Sequence, residues 1–309
     1  MATKHEHVRN YLIDLLETQS LGVGDTLPGE VELSQQLGVS RNTVRHALDA
    51  LSADYMLERK PGRGTIYLGK NTYQHKVKTV GVVNSTLMLG IYPEMIHGIE
   101  DGLYHGGYTM ILANGNNNHA KERESIQRMV QQGISALVIE PTASGKLQAG
   151  DDFVQYLNSL KIPIVTTGCR IDGLHASSIN VDDIQIGRMA TEHLIGLGHA
   201  RIAYVYMDDT QSGALRFEGY RQALETAGLD VRPEYVRSFA ALDKIPEYAG
   251  AYFTRELLSM EDEPPTAIVF FNDELALEAY AAIQDMGLSI PGDVSITGVD
   301  NIVKAEHAT

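Results

Sequence analysis

Ser40, Arg41, Asn42, Thr43 and Arg45 stand in one short run. Arginine can donate two parallel hydrogen bonds to the O6 and N7 edge of guanine, and asparagine can pair with N6 and N7 of adenine. Serine and threonine hydroxyls suit phosphate oxygens, as do the free N–H groups of a helix start. Arg41 and Arg45 are four residues apart, so a helix puts them on one side. Farther along, Tyr92, Glu140, Arg216, Asn272 and Asp300 are of the types that grip a small neutral polyol. Carboxylates, an amide and a guanidinium form paired hydrogen bonds to hydroxyls, and an aromatic ring covers the apolar face of the ligand. Neither set contains an activated nucleophile. The chain has no G-x-S-x-G elbow, no P-loop and no G-x-G-x-x-G after a strand, since Gly22 and Gly24 follow a helix and form a turn. These absences point to a binder rather than an enzyme, with no cofactor and no metal.

The elements that must carry the first set follow from periodicity. Val8, Tyr11, Leu12, Leu15 and Leu16 recur at helical spacing and predict an amphipathic helix over 6–18. A short helix over 30–37 ends at Gly38, and Ser40 stands where an N-cap is wanted. In the next helix Val44, Ala47, Leu48 and Leu51 share the face that must pack inward. Arg41, Asn42, Arg45, His46 and Asp49 are left outward. Helix, Gly-containing turn, helix is the plan that offers its second helix to a major groove. Two strands, 56–59 and 65–68, then flank the turn Lys60–Gly64, and a hairpin of this kind lets Arg63 reach phosphate or a narrow minor groove.

The second set lies in a different pattern. Residues 71–78 are polar and aperiodic and read as a linker. After them apolar runs at 79–83, 108–112, 136–140 and 162–166 alternate with helical stretches near 93–106, 120–132 and 151–160. The alternation restarts with runs at 201–206, 235–239, 266–271 and 293–297, separated by helices near 183–197, 214–228, 247–259 and 273–286. The fold class is α/β, with two doubly wound parallel sheets in 79–309 behind a small helical domain over 1–70. Ligands of such sheets sit beyond the carboxyl ends of strands. Glu140, Asn272 and Asp300 fall there, Tyr92 lies in the loop after the first strand, and Arg216 opens a helix. Plainer roles compete. Asp273 reads as the N-cap of its helix, Asp182 and Asp183 also fit as caps, Glu140 before Pro141 fits a turn, and Glu218 fits the surface.

Charge agrees with DNA binding at one spot. The chain carries a net charge of −15, yet residues 1–70 hold eight basic and nine acidic side chains. Within 40–64 five basic residues face three acidic ones. No apolar run reaches the ~18 residues of a membrane span. The polar start, Met1 to His7, lacks a signal-peptide core, so a cytoplasmic protein with no membrane partner is expected. Cys169 is the single cysteine, which leaves no internal disulfide.

Longer strings then bring in resemblance. L-P-G-E (27–30), E-L-S-Q-Q-L-G-V-S-R-N-T-V-R-H-A-L-D-A-L (32–51) and G-R-G-T (62–65) resemble the GntR-type winged-helix domain. That likeness implies DNA contacts from Ser40, Arg41, Asn42, Thr43, Arg45, Arg63 and Gly64, with Lys4 joining them. Glu30 would face a cytosine amino group or orient Arg45. Many relatives carry arginine after that glutamate; here it is Val31, so that contact is absent. I-N-V-D-D (179–183), G-R-M-A-T-E-H-L-I-G-L-G-H-A-R-I-A (187–203), N-D-E-L-A-L (272–277) and I-P-G-D-V-S-I-T-G-V-D-N (290–301) resemble the LacI/GalR effector domain, which is similar to periplasmic sugar-binding proteins. The likeness implies that Arg216, Asn272 and Asp300 face a sugar.

The pairing of these two modules resembles bacterial arabinose-operon repressors. Y-P-E-M-I-H-G-I-E (92–100), N-N-N-H-A-K-E-R (116–123), V-I-E-P-T (138–142) and D-D-T-Q (208–211) are similar to strings in that group. The resemblance implies a homodimeric repressor that binds operator DNA and is released by L-arabinose. The same architecture with another sugar or a sugar phosphate, and a sugar-transport protein, are the alternatives. Family members continue for several dozen residues beyond the counterpart of Thr309, so a C-terminally truncated sensor is expected.

Overall fold

The structure, a computed structural model, describes residues 4–18, 21–51, 55–60, 64–70, 78–240 and 248–305. The chain divides into two compact units, Met1–Val77 and Lys78–Thr309.

In the first unit α1 (Lys4–Glu17), α2 (Glu30–Leu37) and α3 (Arg41–Leu51) enclose Val8, Leu12, Leu16, Leu33, Val44, Ala47, Leu48 and Leu51. These are the apolar positions that the helical spacing turns inward. Gly38 ends α2 in the left-handed region, at φ +61°, where a side chain would be strained. β1 (Tyr55–Lys60) and β2 (Gly64–Lys70) pair antiparallel, with Lys60 opposite Gly64. The segment before α2 runs along β2, with Leu27 N donating to Thr65 O at 2.8 Å. The hairpin is thus tied along β2 to the segment that leads into α2. Pro61, Gly62 and Arg63, the tip of the expected wing, lie outside the described residues, as do 71–77 of the expected linker.

In the second unit β3 (Lys78–Asn84) begins at Lys78, which therefore belongs to a strand and not to the linker. α4 (Tyr92–His105), β4 (Tyr108–Asn114), α5 (His119–Gln131), β5 (Ala136–Ile139), α6 (Asp152–Ser159), β6 (Ile164–Thr167) and β7 (Ser177–Ile179) follow. The parallel sheet of this first lobe runs β4-β3-β5-β6-β7. β7 has only three residues, all exposed, and shows no alternation that a sequence pattern would reveal. The second lobe holds α7 (Asp183–Gly196), β8 (Ile202–Met207), α8 (Gln211–Thr226), β9 (Val236–Phe239), α9 (Ala249–Leu258), β10 (Ala267–Phe270), α10 (Asp273–Asp285) and β11 (Ser295–Thr297). Its parallel sheet runs β11-β10-β8-β9. Ala203, Val205, Ile268 and Phe270 enter one core, while Ile202, Tyr204, Ala267 and Val269 enter another. A sheet buried on both faces needs this unbroken apolar composition. No helix among the described residues is long and apolar enough to cross a membrane.

One crossing in the second lobe is unusually close. A β-carbon on Gly187 of α7 would fall 1.9 Å from the Arg216 carbonyl oxygen of α8. One on Gly219 would fall 2.0 Å from the Ile184 carbonyl oxygen. The two helices meet backbone to backbone, and a methyl group at either point must push them apart. Gly187→Ala is expected to lower the stability of the second unit by about 3 kcal/mol, the upper range of overpacking. Gly196→Ala, at the open end of the same helix, should cause no loss, because alanine is the better helix former by about 1 kcal/mol. Denaturant midpoints of the two variants check the contrast.

Candidate functional site

α3 begins where the sequence says it should. Ser40 Oγ accepts from Thr43 N at 3.2 Å and lies 2.8 Å from Thr43 Oγ1. The cap leaves Arg41, Asn42 and Arg45 on the exposed side, opposite buried Val44, Ala47 and Leu48. Among the described residues Arg41 and Asn42 make no side-chain hydrogen bond or ion pair, which leaves their donors available to a ligand. Arg45 is held: its Nε and Nη2 donate to Glu30 Oε1 and Oε2 at 3.2 and 2.8 Å. That hydrogen bond holds the Glu30 carboxyl below its usual range. Of the two roles open to Glu30, the geometry supplies the orienting one. Gly64 opens β2 with φ +86° and is exposed. Lys4 opens α1, but its side chain lies outside the described residues, as does all of Arg63.

The second constellation forms where the carboxyl ends of the two sheets face each other. Tyr92, in the first turn of α4, donates its hydroxyl to Glu140 Oε1 at 2.8 Å. Asn84, buried at the end of β3, donates Nδ2 to Glu140 Oε2 at 3.4 Å, and its own Oδ1 has no partner. Burial pushes the Glu140 carboxyl up to about 7, opposed by these hydrogen bonds and by the charge of Arg216. Burial and the nearby Glu140 also raise the Tyr92 phenol far above its ordinary value.

Arg216 arrives from the other lobe. It does not open its helix, as the run of residues suggests. α8 starts at Gln211 under a Thr210 cap, and Arg216 sits more than a turn inside. Its Nε donates to Asp183 Oδ1 at 2.8 Å and its Nη1 to Phe271 O at 2.7 Å, while the guanidinium carbon lies 4.7 Å from the Phe271 ring centre. Asp183 is therefore the anchor of Arg216 and not a cap. Asp182 is the cap of α7, accepting from Gln185 N at 3.0 Å.

The order at α10 is reversed from the simplest expectation. Asn272, not Asp273, is the N-cap, accepting from Leu275 N at 3.1 Å. The Oδ1 atom of Asn272 is thereby engaged, and its amide nitrogen is the group left for a ligand. Asp273 accepts from Ile302 N at 3.0 Å and pins the turn beyond β11. In that turn Asp300 and Asn301 have φ +108° and +55°, a strained pair for side-chain-bearing residues. Burial raises the Asp300 carboxyl to about 6, with Arg216 opposing and Asp273 and Asp183 adding to the rise. Asp300 acts in turn on Tyr92, and Arg216 on Glu140. Tyr92, Glu140, Arg216 and Asp300 thus share one region. They form an acid-rich cluster with one guanidinium, a set of groups whose chemistry suits a ligand bearing several hydroxyls.

Residues 4–66 match the profile of bacterial regulatory proteins of the gntR family, and residues 191–309 match the periplasmic binding protein-like domain. The chain is 33% identical over 304 residues to the arabinose metabolism transcriptional repressor of Geobacillus stearothermophilus, an alignment covering 98% of this chain and 83% of that protein. It belongs to the family of arabinose metabolism transcriptional repressors. The member from Halalkalibacterium halodurans is 28% identical, over 97% of this chain and 81% of its own. Among solved structures, a sugar-binding transcriptional regulator of the LacI family from Escherichia coli aligns with a TM-score of 0.62 at 27% identity, covering 74% of this chain and 81% of that one. The regulator CcpA of Lactococcus lactis shares the fold, with a TM-score of 0.66 at 23% identity over 75% of this chain and 81% of its own. The repressor is a DNA-binding regulator and not an enzyme.

Sequence reasoning passed over Asn84 and read Asp183 only as a possible helix cap. The signal for Asn84 was present, a lone amide at the carboxyl end of V-G-V-V-N. Asp183 had none, because its partner lies thirty-three residues away. The raised Glu140 carboxyl has a consequence for stability. A carboxyl whose folded value exceeds its unfolded one adds no penalty below about pH 4.5, and the penalty grows as pH rises through 7. Glu140→Gln is therefore expected to gain thermal stability relative to the parent between pH 4.5 and 7.5, with the two alike at pH 4. Melting curves across that range check the sign.

Proposed function

We propose that the repressor holds its operator through the exposed face of α3 and is released when L-arabinose binds between Tyr92, Asn84 and Glu140 of one lobe and Arg216, Asn272 and Asp300 of the other. The observation that supports this reading is the cluster of Tyr92, Glu140, Arg216 and Asp300, whose groups act on one another across the two lobes. Arg41 and Asn42 are the base-reading groups, Arg45 is aimed by Glu30, and Ser40, Thr43, Lys4, Arg63 and Gly64 serve the phosphate backbone. Glu140 and Asp300 accept from sugar hydroxyls, while Arg216 and the Asn272 amide donate to them. Glu140, Asp183 and Asp300 around a single guanidinium favour a neutral sugar over a sugar phosphate, whose charge they would repel. Its work on DNA puts the repressor in the cytoplasm.

The repressor acts as a homodimer, because a helix-turn-helix reader gains its affinity from two half-sites. Beyond Tyr92, whose hydroxyl end is withdrawn toward Glu140, the fourteen-residue helix α4 buries little, and Met95, Ile96 and Ile99 on it are only half-covered. A second copy of the chain is the occupant proposed for that face. Sugar binding favours the lobe arrangement that fits the operator less well, so release is a shift in population and involves no bond chemistry.

Arg41→Ala is expected to weaken operator binding about 10- to 100-fold and to leave sugar binding intact. Asp300→Ala should bind operator normally and resist release by L-arabinose. Gel shifts and calorimetry with L-arabinose, other pentoses, hexoses and a pentose phosphate test the scheme. Tight binding of the phosphate, or normal release of the Asp300 variant, would overturn the assignment.

A further inference from the structure

The lobes of the second unit also meet along a seam made by residues 141–146, Arg170 and the start of α8. Gln211 is the first residue of α8, under the Thr210 cap. Its Oε1 accepts from Arg170 N at 2.6 Å and its Nε2 donates to Arg170 O at 2.8 Å. One side-chain amide thus satisfies both groups of a residue in the opposite lobe, the same exchange that two residues make in an antiparallel ladder. The seam has further bonds. Gln211 N donates to Ser144 Oγ at 3.2 Å, and Gly145 N donates to Asp209 O at 2.9 Å. The turn carrying Ser144 and Gly145 is itself held from behind, because buried Glu122 of α5 accepts from Thr142 N at 2.9 Å. Arg216 lies five residues after Gln211 on the same helix, so whatever fixes the start of α8 against the first lobe also sets the reach of Arg216 toward Glu140.

We propose that Gln211 is a latch between the lobes, a positioning residue that holds the ligand-gripping arrangement of the cleft by pairing with Arg170. The latch rests on the reading of sugar-induced release given above. It touches no sugar and no DNA. Backbone groups are its partners, so the side chain of Arg170 is free to vary while Gln211 is not. Glutamate at 211 would keep an acceptor for Arg170 N but set a carboxylate against Arg170 O. Loss of two hydrogen bonds that exist only when the lobes meet should cost the closed arrangement about tenfold in population.

The test uses Gln211→Ala and Gln211→Glu in the full chain. The first readout is hydrogen exchange without sugar at the Gly145 amide, whose acceptor lies in the other lobe and which makes no bond to the Gln211 side chain. Its exchange should rise about tenfold in both variants, while exchange at Leu137, bonded inside the first lobe to Pro163 O, stays unchanged. The second readout is calorimetry, where L-arabinose should bind about tenfold more weakly and sugar-free operator affinity should not fall. Unchanged exchange at Gly145 in both variants overturns the latch. A parent chain that binds no arabinose overturns the sugar reading instead, and the Gly145 exchange still decides the latch.

Discussion

The ion pair between Arg216 and Asp183 is the interaction on which the sensor depends. Both side chains are almost fully withdrawn from water, at 9% and 3% exposure. Two charges taken out of water recover their lost hydration only with good geometry and further hydrogen bonds. Here Asp183, the Phe271 carbonyl and the Phe271 ring supply them. Removing either partner would strand the other, at a cost of about 3–5 kcal/mol. The pair exists because α7 and α8 touch through Gly187 and Gly219, which lets the first turn of one helix meet the second turn of the other. The result is a guanidinium fixed in place with donors left over, facing Glu140 and Asp300. In the proposed sugar site, a guanidinium held this rigidly would lose little freedom when a ligand arrives.

The DNA reader is built on a different economy. Arg41, Asn42 and Arg45, the proposed contact residues on α3, are exposed, and their orientation comes from a cap and one surface ion pair instead of burial. The Arg45–Glu30 pair is worth little as stability, since exposed pairs rarely exceed about 1 kcal/mol. Its value is direction, because a bidentate carboxylate leaves Arg45 one preferred pose. Reader and sensor need no wire of residues between them for regulation. Two lobe arrangements that differ in how well they suit the operator are sufficient.

What the sequence discloses and what it withholds divide along physical lines. The faces of α1 and α3, the Ser40 cap and both sheet alternations are local patterns, and local patterns are what periodicity reports. Tyr92, Glu140, Arg216, Asn272 and Asp300 could be nominated because strand ends are where such sheets bind ligands. Their partners could not. Asp183 is bonded to a residue on another helix, and Asp273 serves a backbone turn twenty-nine residues later. The exchange of roles between Asn272 and Asp273 shows the limit, since two adjacent cap-forming residues look alike until the turn at Asp300 claims one of them. Part of a family string can also be scaffolding. His199, from the G-H-A-R-I-A segment, joins Thr266 Oγ1 and Ser295 Oγ at 2.9 and 3.0 Å, tying together the approaches to β10 and β11.

If sugar and operator compete through the lobe equilibrium, as proposed, the competition must be reciprocal. The most direct measurement is the affinity for L-arabinose with and without a saturating operator duplex. The duplex is expected to weaken sugar binding by the same factor by which saturating sugar weakens operator binding. Sugar that binds the operator complex as tightly as it binds the free protein would contradict it.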